Sequence, residues 1–299
     1  MTRLMTLLAT TAALATPLQA QEITEFRIGL LGGENAQDRL ASNECLRSYA
    51  EEALGVPTRL FTPADYNGVI QGLLGGSLDM AWLGASAYAA VYVADENAVE
   101  PVLVKTNLDG GYTYHSIGFA RADSGITSLD DMKGKSFAFA DPNSASGYLI
   151  PKVELPQLGY SMTEGEYFSR ILFSGGHEQS IIGVINGDFD AAVVWADGQG
   201  DWEDGYNSGA LRKAADAGIA DMNDLVEIWK SNPIPEGPVV LRKALPDDVK
   251  QTMIELVQSI HDTDPTCAYA IAAGETAGFS PVTHEEYETI IAIRLDEMN

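Results

Sequence analysis

The sequence is poor in cationic side chains. It has 18 lysines and arginines against 43 aspartates and glutamates, and its formal net charge is −25. A surface with this excess of negative charge repels nucleic acid and anionic membranes, which excludes both as partners. The same field repels a small anion. If such an anion binds, its affinity must come from local, oriented dipoles rather than from the net charge.

Cysteine is also scarce, with two in 299 residues. No CxxC or HExxH spacing occurs, so we predict neither a metal site nor a cofactor. Cys45 and Cys267 are far apart in sequence, and an oxidising compartment would permit one disulfide between them. Two buried thiols explain the sequence equally well. If the disulfide forms, the C-terminal segment must pack beside the first helix.

Long hydrophobic runs are missing, apart from a short apolar run at residues 4–14. This run is too short to span a bilayer. Arg3 precedes it and the small residue Ala20 follows it, which is typical of a secretory signal peptide. We therefore expect residues 1–20 to be cleaved and the remainder to be exported to a bacterial periplasm, with no direct membrane insertion.

Strand-like and helix-like segments alternate along the chain. This βαβ rhythm predicts an α/β fold in which mostly parallel sheets are flanked by helices. The predicted strands are residues 26–31, 60–61, 78–83, 99–105, 114–121, 135–140, 168–173, 189–195, 226–230 and 239–242. The predicted helices are residues 37–54, 66–75, 85–94, 127–133, 145–158, 177–187, 246–260, 266–275 and 284–297.

Two lobes account for this order of elements. We predict that lobe 1 comprises residues 21–115 and 236–299, that lobe 2 comprises residues 116–235, and that two strands form the hinge. Open α/β sheets bind ligands at the carboxyl ends of their strands. Two lobes that face each other would bring those ends into one cleft.

The segment at residues 141–151, Asp-Pro-Asn-Ser-Ala-Ser-Gly-Tyr-Leu-Ile-Pro, follows an apolar strand and opens a helix. The first N–H groups of a helix have no partner inside it and lie at the positive end of its dipole, which suits an oxyanion. Ser144 and Ser146 could add hydroxyl donors, and Gly147 would let a ligand approach the backbone. For the segment taken alone, an ordinary helix N-cap is the favoured explanation.

Four further segments occur where a cleft would place them. They are residues 63–72 with Tyr66, residues 114–116 with Tyr114 and His115, residues 175–180 with His177, and residues 190–197, which end at Asp197. Together with residues 141–151, they resemble the periplasmic phosphonate-binding proteins of ABC transporters. The resemblance covers most of the chain after residue 20. It implies a two-lobed periplasmic binding protein fold of the type II kind.

The resemblance also implies a function and a set of ligand-binding residues. The function is capture of a phosphonate or phosphite anion in the interlobe cleft and its delivery to a membrane permease, without enzymatic turnover. Ser144, the backbone of Ala145, and Ser146 correspond to the positions that grip the phosphonate oxygens, although the family usually has Thr where this chain has Ala145. His177 corresponds to a histidine donor, and Tyr66 and Tyr114 to tyrosines that line the pocket.

The far end of the site departs from the family. Asp197 matches an acid that meets the amino group of aminoalkylphosphonates, but the second acid of those binders aligns with Gly237. Glu236 is adjacent and could point away from the site. His115 replaces an aromatic residue. The change at His115 leaves the width of the pocket open. The loss of one carboxylate weakens the case for a cationic ligand tail and favours phosphite or a small alkylphosphonate, while an aminoalkylphosphonate stays open.

Two other functions fit parts of the sequence. A solute-binding protein of the same fold could carry a sulfonate or a thiamine precursor. An exported hydrolase could use Ser144, His177 and an aspartate, but the chain has no GxSxG motif.

Overall fold

The structure is a computed structural model that describes residues 23–297. The predicted signal peptide, residues 1–20, lies outside this range. The predicted α/β fold is confirmed, because strands and helices alternate and the strands form two separate six-stranded sheets.

The strands within residues 23–297 are, in chain order, β1 (Phe26–Gly29), β2 (Thr58–Phe61), β3 (Met80–Trp82), β4 (Val99–Thr106), β5 (Thr113–Arg121), β6 (Ser136–Phe139), β7 (Arg170–Phe173), β8 (Ala191–Ala196), β9 (Leu225–Lys230), β10 (Ile234–Pro235), β11 (Pro238–Arg242) and β12 (Gly278–Pro281). The α-helices of the same range are α1 (Ala36–Leu54), α2 (Tyr66–Leu74), α3 (Ala85–Ala94), α4 (Ile150–Gln157), α5 (His177–Asn186), α6 (Ala210–Asp216), α7 (Asp247–Thr263), α8 (Pro265–Ala272) and α9 (Glu288–Glu297).

Each sheet combines parallel and antiparallel strands. The first sheet has the order β12-β4-β11-β3-β1-β2, in which β1 is parallel to β2 and β3 while β11 and β12 run antiparallel to their neighbours. In the second sheet, β6 is parallel to β7 and β8, and β5 is antiparallel to β8, β9 and β10. The parallel strands come from βαβ units, as the sequence rhythm predicts. The strands that flank the two passages of the chain between the sheets, β4, β5, β10 and β11, all take part in antiparallel pairs.

We name the first sheet with its helices the first lobe, and the second sheet with its helices the second lobe. The chain passes from the first sheet to the second between β4 and β5, and returns between β10 and β11 through Glu236 and Gly237. Helices α7 and α8 then pack on α1, and α9 packs on α3, so the end of the chain rejoins the first lobe.

A disulfide joins Cys45 on α1 to Cys267 on α8, with the Cα atoms 6.0 Å apart. The sequence analysis did not decide between a disulfide and two buried thiols. It stated only that a disulfide would require the C-terminal segment to pack beside the first helix. The bond lies wholly within the first lobe. It therefore constrains that lobe without restricting movement between the lobes.

Three predicted helices differ from the structure. The helix predicted at residues 284–297 begins with a 3₁₀ turn, His284–Tyr287, before α9. The helix predicted at residues 127–133 is a single 3₁₀ turn, Leu129–Met132, because the Asp131 carboxylate accepts the N–H groups of Thr127 and Ser128 and closes a tight turn. The helix predicted from residue 145 begins with a π-helical turn, Ala145–Leu149, before α4. Such π turns are often found at functional sites.

Candidate functional site

A cavity of about 200 Å³ lies between the lobes. It is smaller than the roughly 300–1,000 Å³ of sites for drug-sized ligands, so it suits a small ligand. Its lining comes from strand ends and helix starts of both lobes, as the cleft prediction requires. The residues that line the cavity include Glu34, Arg39, Tyr66, Lys105, Tyr114, Ser144, Ala145, Ser146, His177, Trp195, Lys213, Glu236 and Gly237.

Ser144 is the N-cap of the helix that follows β6. Its hydroxyl oxygen accepts the backbone N–H of Gly147 at 2.9 Å, and the side chain is buried. A Cβ on Gly147 would lie 2.6 Å from the Cβ of Ala140, so a residue without a side chain is needed for the turn to close. The helix start thus lies against the cavity, and Ala145 and Ser146 line it beside Ser144.

His177 begins α5 and faces the same turn. Its Nε2 lies 3.3 Å from the Ser144 hydroxyl oxygen, and the residue is 5% exposed. Burial lowers the pKa of His177 to about 4. The imidazole is therefore neutral at neutral pH, with one ring nitrogen that donates a hydrogen bond and one that accepts.

Two buried tyrosines complete this end of the cavity. Tyr66, the first residue of α2, lines the cavity together with Ser144, and Tyr114 on β5 lines it together with Ser146. Burial raises the pKa of both phenols well above the usual value, so both keep their proton at neutral pH. Tyr66 belongs to the first lobe and Ser144 to the second, so this pair faces across the cleft, whereas Tyr114 and Ser146 both belong to the second lobe.

Lys105 and Glu236 line the other part of the cavity, and the sequence analysis did not identify Lys105. Lys105 is 1% exposed and donates to the Ser208 hydroxyl at 2.7 Å. Its Nζ lies 3.7 Å from Glu236 Oε2 and 5.3 Å from the ring centroid of Trp195. Burial, opposed by the charge of Lys105, raises the pKa of Glu236. A lysine that directly follows the apolar run of residues 102–104 at the carboxyl end of β4 is the signal that could have revealed it.

The Glu236 side chain faces the cavity, which the sequence left open. Gly237, the position that aligns with the family's second acid, cannot carry a side chain here, because a Cβ would lie 1.9 Å from the carbonyl oxygen of Leu83. Neighbouring hydrogen bonds hold this segment in place. Trp82 donates to the Gly237 carbonyl at 3.0 Å, and Tyr287 to the Glu236 carbonyl at 2.9 Å.

The cavity lining within residues 23–297 includes neither His115 nor Asp197, although the sequence analysis predicted both as ligand-binding residues. Successive side chains of a strand point to opposite faces, so His115 turns away when Tyr114 faces the cavity. Its Nδ1 pairs with the Ser231 carbonyl at 2.8 Å. The Asp197 carboxylate accepts the backbone N–H of Gln199 at 3.2 Å and closes the turn after β8.

Arg39 is a buried cation at the wall of the cavity. Its guanidinium donates to the carbonyls of Leu30, Leu31 and Pro63 at 3.0–3.2 Å, and the residue is buried. Burial lowers its pKa, while the charges of Glu34 and Glu178 oppose that effect. An arginine keeps its proton under these conditions. It therefore adds local positive charge to a strongly acidic protein.

The two lobes touch at the mouth of the cleft. The backbone N–H of Asn35 donates to the Glu178 carboxylate at 3.0 Å, and Lys213 of the second lobe forms an ion pair with Glu34 of the first. The backbones of Gly33 and Gly176 pack against each other, so that a Cβ on Gly176 would lie 2.1 Å from the Gly33 carbonyl oxygen. The structure is thus a closed arrangement of the lobes.

The described part of the chain offers neither a metal site nor a membrane-spanning helix. It contains no group of three or more side chains placed to bind a metal ion. None of its helices has the length and apolar character to cross a membrane.

Comparison with known proteins identifies a family. A family model described as "ABC transporter, phosphonate, periplasmic substrate-binding protein" matches residues 28–287. The phosphate-import protein PhnD of Mycolicibacterium smegmatis is 29% identical over 227 residues, which cover 74% of this chain and 67% of the relative. The phosphonates-binding periplasmic protein of Escherichia coli is 27% identical over 289 residues, which cover 95% of this chain and 79% of the relative.

Solved structures share the fold. A binding protein component of an ABC phosphonate transporter from Pseudomonas aeruginosa matches with a TM-score of 0.78 at 24% identity, covering 92% of this chain and 86% of that chain. PhnD1 from Prochlorococcus marinus, in complex with methylphosphonate, matches with a TM-score of 0.76 at 17% identity, covering 92% of this chain and 98% of that chain. At these identities the likeness establishes the two-lobed fold alone.

Proposed function

The chain belongs to the family of periplasmic substrate-binding proteins of phosphonate ABC transporters, and on this premise we propose that it binds a phosphonate or phosphite anion in the interlobe cavity. The observation that carries the proposal is the convergence of uncharged donors from both lobes. Ser144, Ser146, His177, Tyr66 and Tyr114 all line one cavity.

Neutral donors suit this ligand because they bind charge without a buried counter-charge of their own. Hydrogen bonds to an ionised oxygen are roughly twice as strong as those between neutral groups. The helix start at Ser144 adds backbone N–H groups and the positive end of a dipole. Arg39 adds local positive charge. Together these local terms offset the repulsion expected from a net charge of −25.

Ligand capture would favour the closed arrangement. A ligand held by Tyr66 from one lobe and by Ser144 and His177 from the other gains its full set of contacts only when the lobes close. Because the closed arrangement binds the ligand more tightly than an open one, binding shifts the protein toward closure. The closed protein would then dock on a membrane permease and release its cargo. This role places the protein in the periplasm, consistent with the predicted signal peptide at residues 1–20.

A hydrolytic role is disfavoured by the surroundings of His177. A Ser-His-Asp triad needs a carboxylate that orients the imidazole through its second nitrogen. The Nδ1 of His177 has no hydrogen-bond partner among residues 23–297. The Ser144 oxygen also accepts the Gly147 N–H, which assigns it to a cap rather than to an activated nucleophile.

Calorimetric titration of the purified protein tests the function. The panel is phosphite, methylphosphonate, 2-aminoethylphosphonate, phosphate, an alkylsulfonate and thiamine. We expect saturable binding of one ligand per protein for at least one phosphonate or phosphite, and no product after prolonged incubation. Phosphate is included because one relative is a phosphate-import protein. Binding of the sulfonate or thiamine alone, or release of a reaction product, would contradict the proposal.

A further inference from the structure

Two buried charges in the cavity have incomplete hydrogen bonding. An ammonium group has three donors, and for Lys105 one of these goes to the Ser208 hydroxyl. Glu236 is 8% exposed, and its Oε1 accepts the Gly237 N–H at 3.3 Å. Glu236 Oε2 has no hydrogen-bond partner in the described part of the chain. The 3.7 Å between Oε2 and Lys105 Nζ is an ion pair but too long for a hydrogen bond.

A series of contacts places this pair beside the anion-binding end. Tyr114 and Ser146 line the cavity together, and the Tyr114 ring meets the Trp195 ring edge to face with the centroids 6.2 Å apart. Lys105 Nζ in turn lies over the Trp195 ring. A ligand whose phosphorus group lies at the serines would therefore extend its tail past Tyr114 and Trp195 toward Lys105 and Glu236.

The chemistry of the pair discriminates between tails. A hydroxyl can accept a hydrogen bond from Lys105 and donate one to Glu236 Oε2, which satisfies both groups. An ammonium group could donate to Glu236, but it has no lone pair for Lys105 and brings a second positive charge beside it. A carboxylate could accept from Lys105 but would meet the Glu236 carboxylate. An alkyl tail would leave the hydrogen bonding of both Lys105 and Glu236 incomplete.

We propose that Lys105 and Glu236 form a subsite for the ligand tail that selects a phosphonate bearing an uncharged hydroxyl over one bearing an ammonium group. This proposal rests on the function proposed above and names the substrate class of the same cavity. The sequence departure at Gly237 removed one acid of the family pattern. Lys105 supplies the further reason why a cationic tail is disfavoured.

The test compares phosphonates whose tails differ in length and in terminal group. Methylphosphonate, ethylphosphonate, 2-hydroxyethylphosphonate and 2-aminoethylphosphonate are titrated into the wild-type protein by calorimetry. The titrations are run at pH 8 because burial raises the pKa of Glu236. We expect the hydroxyethyl compound to bind at least fivefold more tightly than the ethyl and the aminoethyl compounds. Equal affinity for the hydroxyethyl and ethyl compounds, or a preference for the aminoethyl compound, would overturn the proposal.

Lys105 also joins the two lobes through its hydrogen bond to Ser208. Variants are therefore needed to distinguish a role of Lys105 in selecting the ligand tail from a purely structural role. In Lys105→Met we expect the preference to reverse toward the aminoethyl compound, because Glu236 then faces the tail without its cation. In Glu236→Gln we expect the aminoethyl compound to weaken further relative to the hydroxyethyl compound. Lys243→Met is the control, since Lys243 is an exposed lysine whose Nζ donates to the Glu96 carbonyl.

The readout is the ratio of dissociation constants between tails, which a general loss of closure does not change. If Lys105→Met weakens every ligand by the same factor, Lys105 is structural and the proposal is wrong. If Lys105→Met fails to fold, the wild-type ratios alone decide. If methylphosphonate and the other three compounds all fail to bind the wild-type protein, the function proposed above fails as well, which distinguishes that outcome from a failure of tail selection.

Discussion

The Nε2 atom of His177 lies 3.3 Å from the hydroxyl oxygen of Ser144, although the two residues belong to different helix starts and are 33 positions apart in sequence. The neutral imidazole and the capping hydroxyl form one polar surface inside a buried cavity. Neither group has a charged partner that would compete with an anionic ligand for its hydrogen bonds.

Ser144→Ala should weaken binding of the phosphorus anion. The change removes a hydroxyl from the cavity and leaves a ligand oxygen without its partner, which costs about 1–3 kcal/mol. Calorimetry should therefore register a loss of about 5- to 150-fold in affinity. Ser128→Ala is the matched control, because Ser128 caps a 3₁₀ turn outside the cavity. An unchanged affinity in Ser144→Ala would show that the Ser144 hydroxyl does not bind the ligand.

His177 should make stability depend on pH. The pKa of His177 is about 4 in the folded protein and about 6.5 when unfolded. The unfolded state therefore binds more protons between these values, and stability falls as the pH falls from about 6.5 to 4. The full difference corresponds to about 3 kcal/mol.

Chemical denaturation of wild type and His177→Gln across this range measures the effect of the histidine. Carboxylates titrate over the same range in both proteins, so the difference between the two curves isolates His177. We expect the wild type to lose more stability than the variant on acidification. His261→Gln, on α7 outside the cavity, is the control. Parallel curves for wild type and His177→Gln would mean that His177 is not buried as a neutral group.

Gly176→Ala should hold the lobes apart. A Cβ at this position would lie 2.1 Å from the Gly33 carbonyl oxygen, and backbone cannot move aside as a flexible side chain would. We expect at least tenfold weaker binding and, by small-angle scattering, no compaction on addition of ligand. Gly75→Ala is the control, since its Cβ would come no closer than 3.1 Å to another atom and it lies away from the cleft. Wild-type compaction of Gly176→Ala would contradict this prediction.

Lys213→Gln should have a smaller effect than Gly176→Ala on the closure of the lobes and on ligand binding. The ion pair between Lys213 and Glu34 crosses the cleft, but both side chains are partly exposed, and such pairs contribute about 0–1 kcal/mol. We expect up to about fivefold weaker binding in low salt and little difference from wild type in high salt, because salt screens exposed charges. A loss of affinity that persists undiminished in 1 M salt would assign Lys213 a direct contact with the ligand.

Removal of the Cys45–Cys267 disulfide should lower stability without changing ligand selection. The bond closes a loop of 222 positions, and disulfides across long loops contribute about 2–5 kcal/mol. Because both cysteines lie in the first lobe, the geometry between lobes is not directly altered. We expect the doubly substituted Cys45→Ser, Cys267→Ser protein to melt at a lower temperature than wild type and to keep the same order of ligand affinities. Equal melting temperatures would contradict this account.

The local sequence determined most of the secondary structure and one end of the cavity. The alternation of apolar strands and amphipathic helices predicted the α/β fold, and the hydroxyl-rich start of the helix after β6 predicted the place of Ser144 and Ser146. These features are local, because helix capping and strand alternation depend on neighbours within a few residues. The resemblance to the family added Tyr66, Tyr114 and His177, and all three line the cavity.

The other end of the cavity, at Lys105 and Glu236, was decided by the tertiary structure. Lys105 comes from β4, Glu236 from the segment between β10 and β11, and Trp195 from β8, so their meeting depends on how the two sheets face each other. The alternation of β5 turned His115 away, and the turn after β8 used the Asp197 carboxylate. A buried charge reveals its role only through the groups around it, and those groups are distant in sequence. The sequence alone therefore predicted an anion-binding helix start, while packing of the two lobes determined what surrounds the rest of the ligand.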